Sequence, residues 1–478
     1  MRKVTIVWMA TVLILFLVFA ALGLLMKMNQ AEFVNLPPEY FYAFLTLHGL
    51  GMIGIIFCGT FAGVGYLLSR YVKLNLSLMW FVYFFTAAGL IGLLLATLVG
   101  KFGAGWYVLY PLPFYSQHTW ANWSVLLAIV SIIVLGVAWL IGLLHLIYAM
   151  SCQYGFKNLL GWQYLSKEEK IVEIPPSVLI VTVSSITGSL GIEAGAVMMM
   201  MYLFKFFVPS LSFNVLILKN LDFFFGHILA NITLYLALAW VYELFPKYSG
   251  RPLKINKIIA FAWNCTLAFI LFAYFHHLYM DFVQPVGLQF VGQIASYMSA
   301  VPATAVTLFS AVGQIYRSGI RWSFTPFSFY LGLIGWTMGG FAAVVDSTIR
   351  VNLIFHNTLW VPAHFHTYLL FGVFPLFLGF VYDFLNGQND VPRDWISIIG
   401  LWIMVIGGLG FLLAFYLGGI DSVPRRFAVY SYSGINQVYQ HGTHLAAFAI
   451  PFILILLFGI GMIYFSFLRK LKQAWVEP

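Results

Sequence analysis

The chain has 478 residues, of which 62% are hydrophobic and only 8% are charged. This composition excludes an ordinary soluble globular domain, in which about a quarter of the residues are charged. The net charge of +9 is spread over many loops, whereas a nucleic-acid-binding protein concentrates its basic residues in a patch.

Long uncharged segments recur from one end of the sequence to the other, and each is long enough to cross the hydrocarbon core of a bilayer. The first is too long for a removable signal peptide and has no small-residue cleavage site, so we interpret it as a true span. The sequence therefore predicts an all-α, polytopic membrane protein with about 12 transmembrane helices, forming a single domain over residues 1–478. The predicted spans are 5–27, 40–69, 77–99, 121–148, 177–204, 223–244, 258–280, 287–313, 325–347, 352–382, 396–419 and 445–468.

The placement of basic residues predicts the orientation of these spans. If the N-terminus is cytoplasmic, 17 of the 24 Lys and Arg residues fall on the cytoplasmic side. This bias follows the positive-inside rule and predicts that both termini are cytoplasmic. The other basic residues would lie outside, and they are Lys27, Lys101, Lys205, Lys219, Arg350, Arg425 and Arg426.

Six of the 11 histidines are predicted to lie at a similar depth in the outer half of the membrane. An ionisable side chain inside a membrane is costly and is a candidate functional residue, although a lone histidine is more often a helix-packing residue. Here four different spans contribute histidines at the same depth in the membrane, which indicates a metal or cofactor site. The six are His48, His227, His276, His277, His364 and His366.

The spacing of these histidines has a chemical meaning. His364 and His366 point about 200° apart on a helix, so one helix can ligate two cofactors on opposite faces. His276 and His277 are adjacent and can share one metal if His227 supplies a third imidazole. Three imidazoles with an open position suit copper, zinc or iron. His48 is left to pair with one histidine of the tenth span across a haem.

Several short motifs around these histidines are specific. The motifs are Leu47-His48-Gly49, Phe225-Gly226-His227, Phe275-His276-His277, His356-Asn357-Thr358, Trp360-Val361-Pro362-Ala363-His364-Phe365-His366 and Val423-Pro424-Arg425-Arg426. With these motifs the chain resembles, over nearly its whole length, subunit I of the haem–copper oxidases, and the string in the tenth span is most similar to the B-type branch.

The resemblance implies two haems, expected to be b-type, and a copper ion, with non-haem iron as the alternative metal. It implies that Arg425 and Arg426 pair with haem propionates, and that His356 and Asn357 lie in the polar region near them. The implied ligands are His48 and His366 for the low-spin haem, His364 for the high-spin haem, and His227, His276 and His277 for copper.

The chain departs from the oxygen-reducing members of that family at the active-site tyrosine. In A- and B-type enzymes the tyrosine follows the first metal histidine by four residues, where this chain has Asn231. In the C-type it precedes the histidine pair by six, where this chain has Ile270. Polar positions of the B-type proton route are also replaced by Leu238, Ala303 and Val306, while Tyr242 is kept and Thr304 is a possible substitute.

These departures favour a respiratory nitric oxide reductase, which converts two NO, two electrons and two protons into N2O and water and needs no electron from a phenol. The alternative is a terminal oxygen reductase, a cytochrome c or quinol oxidase, with a relocated tyrosine. Tyr274 is the first candidate because it shares a helix face with Ile270, and Tyr235 is a weaker one. A non-catalytic electron-transfer subunit is disfavoured because it would not need the three-histidine set.

The resemblance also implies partners and a location. We expect a second subunit with a cupredoxin domain, an electron donor that is cytochrome c, a cupredoxin or a quinol, and surrounding membrane lipid. The expected location is the cell membrane of a prokaryote, with no nucleic-acid partner. No ligand role is implied for His118, His441 or His444.

Overall fold

The computed structural model describes residues 1–117, 119–166, 171–387, 394–431 and 440–476, with side chains up to residue 471. Within these ranges it contains 12 helices that are long and apolar enough to cross a membrane, and each coincides with a predicted span, so the all-α polytopic prediction is confirmed. His118 lies outside the described residues. The helices are α1 (Arg2–Gln30), α2 (Pro38–Leu68), α3 (Leu76–Val99), α4 (Asn122–Tyr154), α5 (Pro176–Phe207), α6 (Val215–Ser249), α7 (Lys257–Leu278), α8 (Gly287–Ile315), α9 (Phe324–Asp346), α10 (Trp360–Asn386), α11 (Trp395–Ile420) and α12 (Gln440–Val476).

The ends of several helices follow ordinary capping chemistry. The Asn75 side chain accepts a hydrogen bond from the Leu78 N–H, and Asn214 caps α6 in the same way. Such side chains satisfy backbone N–H groups that have no partner within the helix. Proline opens α2 and α5, where its missing N–H is tolerated. Inside the bilayer the remaining backbone groups must be satisfied within the segment, which makes the helix the only viable form for these sequences.

Helix packing places α10 at the centre of the molecule. In the most apolar 18-residue stretch of α10, 94% of the sequence is buried inside the protein, whereas in that of α8 only 33% is buried. Neighbouring helices pack in pairs, α5 with α6, α7 with α8 and α11 with α12, and α1 packs against both α2 and α12. The helix with the two-residue histidine spacing is therefore the most enclosed one.

Among the predicted boundaries that differ from the structure, two lie near the histidines. The sixth helix begins at Val215 and not near residue 223, because Lys219 and Asn220 are polar yet helical, with Asn220 bonding back to the Leu216 carbonyl. The tenth predicted span, 352–382, is split: a short helix Ile349–Phe355 ends before α10 begins at Trp360. The break falls at Asn357, whose φ of 63° lies in the left-handed region that asparagine tolerates.

Three spans depart from regular α-helix. The last turn of α3, Leu95–Val99, is π-helical, and so is Thr367–Val373 within α10. The end of α7, Tyr274–Leu278, tightens to a 3₁₀ helix. Two of these departures contain or adjoin histidines that the sequence predicts to be metal ligands, and such irregular turns are common at functional sites. Shorter helical turns outside the spans are Leu112–Phe114, Phe156–Leu159 and Trp162–Tyr164.

Candidate metal and haem centre

His48 from α2 and His366 from α10 face each other across a gap. Their ring centres are 6.2 Å apart and their planes differ by 20°. Two imidazoles on opposite sides of one metal, with metal–nitrogen bonds of about 2 Å, have ring centres about 6 Å apart. The pair therefore has the spacing of two axial ligands on one iron.

The hydrogen bonds of these two rings fix which nitrogen is free. His48 Nδ1 lies 2.8 Å from the Phe19 carbonyl, and His366 Nδ1 lies 2.7 Å from the Pro362 carbonyl. A carbonyl only accepts, so each Nδ1 carries the proton and each Nε2 is left for a metal. Gly23 of α1 lies against His48, where a Cβ would come within 2.8 Å of the ring carbon Cε1. A side chain at residue 23 would displace the ring.

His364 stands on the other side of α10. Its Nδ1 lies 3.2 Å from the Gly339 carbonyl of α9, which again leaves Nε2 free. The two-residue spacing thus presents His364 and His366 in different directions from one helix, as their sequence spacing predicts. The geometry fits a second, separately ligated haem on the His364 side.

His227, His276 and His277 form a compact three-imidazole set. One ligand nitrogen from each lies within 4.8 Å of the others. The 3₁₀ form of Tyr274–Leu278 brings the rings of His276 and His277 to 4.1 Å between centres, and His227 of α6 lies 5.1 Å and 5.5 Å from them. The set predicted from the sequence is assembled, although His227 lies well inside α6 and not at its beginning.

The donor atoms of this set fit a bound metal. His276 Nδ1 is 3.0 Å from the Ser296 hydroxyl of α8, so its Nε2 is available as a ligand. His227 Nδ1 is buried and has no hydrogen-bond partner among the described residues. A buried ring nitrogen left without a partner is costly unless a metal occupies it. Neutral imidazoles with an open fourth position suit copper, zinc or iron.

Asn231 lies directly against this set. Its Nδ2 donates to the His227 carbonyl at 2.7 Å and lies 3.4 Å from His227 Nε2. Its Oδ1 accepts a hydrogen bond of 3.0 Å from the hydroxyl of Tyr368, in the π-helical part of α10. Asn231, four residues after His227, therefore contacts this histidine through an amide.

Tyr368 is a site residue that the sequence reasoning missed. It lies in the cavity wall beside Asn231, 137 residues away along the chain. Tyr274 is placed elsewhere: its hydroxyl donates to Asn220 at 3.1 Å, and it is not among the described residues that line the cavity. Tyr235 does line it. The sequence signal that could have identified Tyr368 is its hydroxyl group on α10, the helix that also carries His364 and His366.

One cavity of about 720 Å³ connects the whole arrangement, and all six histidines line it. Arg425 and Arg426 also line it, at the end of the bundle that the charge bias predicts to be outer. Arg425 Nη2 donates to Asn357 Oδ1 at 3.1 Å, and the Arg426 guanidinium lies 3.9 Å from the Tyr107 ring centre. The cavity is large enough for cofactors and carries cations at one end, as propionate groups would require.

His356 and the remaining histidines lie outside the ligand set. Burial, with Arg425 nearby, lowers the pKa of His356 to about 4, so its ring is neutral. His441 Nδ1 lies 3.4 Å from the Asp421 carboxylate, and His145 Nε2 accepts from the Asn75 N–H at the opposite end of the bundle. Neither His441, His444 nor His356 is among the described residues of the cavity wall.

Comparison with known proteins agrees with this geometry. A sequence profile of the family described as cytochrome c and quinol oxidase polypeptide I matches residues 3–450. The chain is 25% identical over 477 residues to cytochrome c oxidase subunit 1 of Thermostichus vulcanus, covering 95% of this chain and 82% of the relative. It is 27% identical over 306 residues to the subunit of the same name from Cereibacter sphaeroides, covering 61% of this chain and 51% of the relative.

The fold is also shared with a solved structure. A haem–copper terminal oxidase dimer determined by cryo-EM superposes with a TM-score of 0.77 at 19% sequence identity. The match covers 100% of this chain and 84% of the other. At that identity the likeness concerns the fold alone.

Proposed function

The chain belongs to the cytochrome c and quinol oxidase polypeptide I family, the subunit I family of the haem–copper oxidases, and on that premise we propose that it is the catalytic subunit of a respiratory nitric oxide reductase. The overall reaction converts two NO, two electrons and two protons into N2O and water. The observation that carries this proposal is the amide of Asn231 lying beside His227, where an oxygen reductase would place a phenol.

The ligand residues divide among the cofactors by geometry. His48 and His366 would hold the low-spin haem, His364 the high-spin haem, and the three-imidazole set a copper ion. When bound, the haems and copper would supply electron transfer and adjacent open metal positions at which a small gas is reduced. The protein holds the free Nε2 atoms of His48, His364 and His366 in place through backbone carbonyls, as metal sites commonly do.

Asn231 bears on which of the two gases the enzyme reduces, because its side chain is an amide and not a phenol. An amide donates and accepts hydrogen bonds, but it does not titrate and cannot give up a hydrogen atom as a phenol can. Reducing oxygen to water takes four electrons at one site, whereas joining two NO takes two. A site without a phenol on the metal ligand therefore suits the reaction with the smaller electron demand.

The route for protons along α6 and α8 is short. The hydroxyls of Tyr242 and Thr307 are hydrogen-bonded at 2.9 Å, and Thr304, the possible substitute, lines the cavity. Leu238 and Ala303 are buried and apolar between this pair and the metal site. Such a lining supports a reaction that takes up few protons from this direction.

A terminal oxygen reductase is the second candidate, and two observations favour it. The named relatives are cytochrome c oxidase subunits. The Tyr368 hydroxyl is joined through Asn231 to His227, so one phenol lies within two hydrogen bonds of the metal ligand. In this alternative Tyr368, and not Tyr274, is the relocated phenol.

The decisive experiment is turnover of the purified, reduced complex with NO under anaerobic conditions and with oxygen in a parallel sample, at known haem and copper content. Rapid N2O formation with slow oxygen uptake supports the nitric oxide reductase. Fast oxygen consumption with little N2O overturns it in favour of the second candidate.

A variant makes the second candidate equally testable. Tyr368→Phe should abolish oxygen reduction if Tyr368 is the relocated phenol, whereas Tyr274→Phe is the matched control because that hydroxyl faces Asn220. Substantial oxygen reduction by the Tyr368→Phe enzyme would remove the phenol from the mechanism.

Further parts of the proposal follow from the family and the sequence. We place the protein in the B-type-like part of the family, in a prokaryotic cell membrane, with a cupredoxin-domain second subunit. The electron donor would be cytochrome c, a cupredoxin or a quinol. Copper is favoured over non-haem iron at the three-imidazole set because, among the described residues, the ligand atoms that lie within 4.8 Å of one another are all imidazole nitrogens.

A further inference from the structure

Lys27 places a positive charge inside the membrane-spanning part of α1, in the wall of the cavity. It lies one helical turn beyond Gly23, the residue that packs against the His48 ring. Its Nζ is 4.3 Å from the ring centre of Phe415, and the Phe415 ring lies 5.3 Å from that of His366. The ammonium is therefore held beside the space between His48 and His366.

The protein itself gives this ammonium little compensation. Nζ donates to Gln30 Oε1 at 2.8 Å, and among the described residues no carboxylate forms an ion pair with it. A charged group in a membrane interior is expensive and is normally paired or given a function. The arrangement calls for an anionic partner that comes from outside the chain.

We propose that Lys27 is a haem-binding residue whose ammonium pairs with a propionate carboxylate of the porphyrin held between His48 and His366. The inference rests on the low-spin haem assigned to that pair. It does not depend on which gas the enzyme reduces. The residue supplies a third cation for the propionates of the two haems, in addition to Arg425 and Arg426.

The end of α1 is attached to the arginine segment, which supports a common task. Gln30 Nε2 donates to the Phe427 carbonyl at 2.7 Å, and Asn29 Nδ2 donates to the Ala428 carbonyl at 2.8 Å. Gln30, the partner of Lys27, is thus held directly against the backbone that follows Arg426. The lysine and the arginines therefore form one structural unit at the same end of the cavity.

The test is a redox titration of the low-spin haem in the purified complex, without any gas added. A cation beside a propionate stabilises the reduced haem, which carries one positive charge less. Lys27→Met should therefore shift the ratio of oxidised to reduced low-spin haem at least tenfold towards the oxidised form, a potential about 59 mV lower for a one-electron couple. Lys27→Arg should stay near the wild type, and the high-spin haem should change little in both.

Lys205→Met is the matched control, because Lys205 Nζ bonds the Pro209 and Leu211 carbonyls and does not line the cavity among the described residues. Loss of the low-spin haem from Lys27→Met, with retention in Lys27→Arg, also supports the proposal. A Lys27→Met potential equal to that of the control overturns it, and so does loss of haem from both Lys27 variants, since charge would then not be the cause. Failure of the NO assay would leave these measurements unaffected.

Discussion

At the scale of single residues, the centre depends on which nitrogen of each imidazole is committed to the protein. His48, His364 and His366 each use Nδ1 against a backbone carbonyl, and His276 uses it against Ser296. His227 has a buried Nδ1 without a partner among the described residues, while Asn231 lies at its Nε2. His227 should therefore bind its metal through Nδ1.

Removal of one imidazole from the three-histidine set should release copper and spare the haems. For His227→Ala we expect copper per chain to fall at least tenfold, since two imidazoles make a poor site, while both haems remain. Copper by elemental analysis and haem by absorbance would check this. His444→Ala, on an exposed histidine without a ligand role, should keep its copper. Full copper in the His227 variant would contradict the assigned ligand set.

The Tyr368 hydroxyl should matter for NO turnover through Asn231. Without it, the amide loses the hydrogen bond that orients it against His227, a contact of about 1 kcal/mol. We therefore expect Tyr368→Phe to lower the rate of N2O formation about fivefold with copper content unchanged. Tyr274→Phe should retain the wild-type rate. An unchanged rate in Tyr368→Phe would show that Asn231 needs no such support.

The limits of sequence reasoning are visible at these residues. The gathering of six histidines around one cavity could be predicted because their spacings and motifs are local. Tyr368 and Lys27 could not, because their roles depend on contacts between distant helices, α10 with α6 and α1 with the segment after Arg426. Tyr274 shares a helix face with Ile270, yet the structure turns its hydroxyl to Asn220. Hydrophobic periodicity contains no information about which helices become neighbours.

At the scale of elements, α9 holds His364, the proposed ligand of the high-spin haem, through close contact with α10. A Cβ on Gly335 would lie 2.2 Å from the Phe371 carbonyl oxygen, so the helices approach to backbone contact there. One turn further along α9, the Gly339 carbonyl meets His364. The distance between α9 and α10 thus sets the position of this imidazole.

Gly335→Ala should push the two helices apart and loosen His364. We expect most of the high-spin haem to be lost or altered, with the low-spin haem retained, as read from absorbance and from CO binding to the reduced protein. Gly313→Ala, on α8, is the control, because nothing lies within 4 Å of a Cβ there and Gly313 is not among the described residues that line the cavity. Equal spectra for the two variants would refute this role of the close contact.

A second element-scale contact joins the two parts of the copper set. Lys219 near the start of α6 forms a 2.8 Å ion pair with Asp281, which follows the 3₁₀ segment of α7. Both side chains are partly exposed, so the pair should add at most about 1 kcal/mol to stability. We expect Asp281→Asn to lose copper several-fold faster to a chelator with little change in thermal stability. Glu173→Gln, in the exposed pair with Lys254, should match the wild type.

The element boundaries show why prediction succeeds only in part. All 12 spans were predictable because a bilayer demands about 20 apolar residues. The break before α10 was not, because it depends on Asn357 bonding Arg425 and on Thr358 pairing with Pro424. The predicted beginning of α6 lies too far along the sequence, because Lys219 and Asn220 are polar residues typical of loops. Their partners in the structure, Asp281 and Tyr274, are distant in the sequence.

At the scale of the whole molecule, the predicted orientation can be tested with a natural thiol. Cys152 is exposed near the end of α4, on the predicted cytoplasmic side, while Cys58 is buried. In intact cells a membrane-impermeant maleimide should not label Cys152, and it should do so in inverted vesicles. A Ser210→Cys variant made in a Cys152→Ser background, with the new thiol in the exposed loop after α5, should behave in the opposite way. Labelling of Cys152 from outside would reverse the topology.

The cavity also constrains how the molecule is assembled. Its wall includes Trp8 and Lys27 of the first helix together with Leu456 and Ile460 of the last. The walls around the low-spin pair are therefore complete only after α12 has been synthesised and has packed against α1. A ribosome-bound chain that still lacks α12 would already contain His48 and His366, but the part of the cavity wall that α12 supplies would be missing. A haem held between these two histidines would therefore be fully enclosed only once α12 has packed against α1.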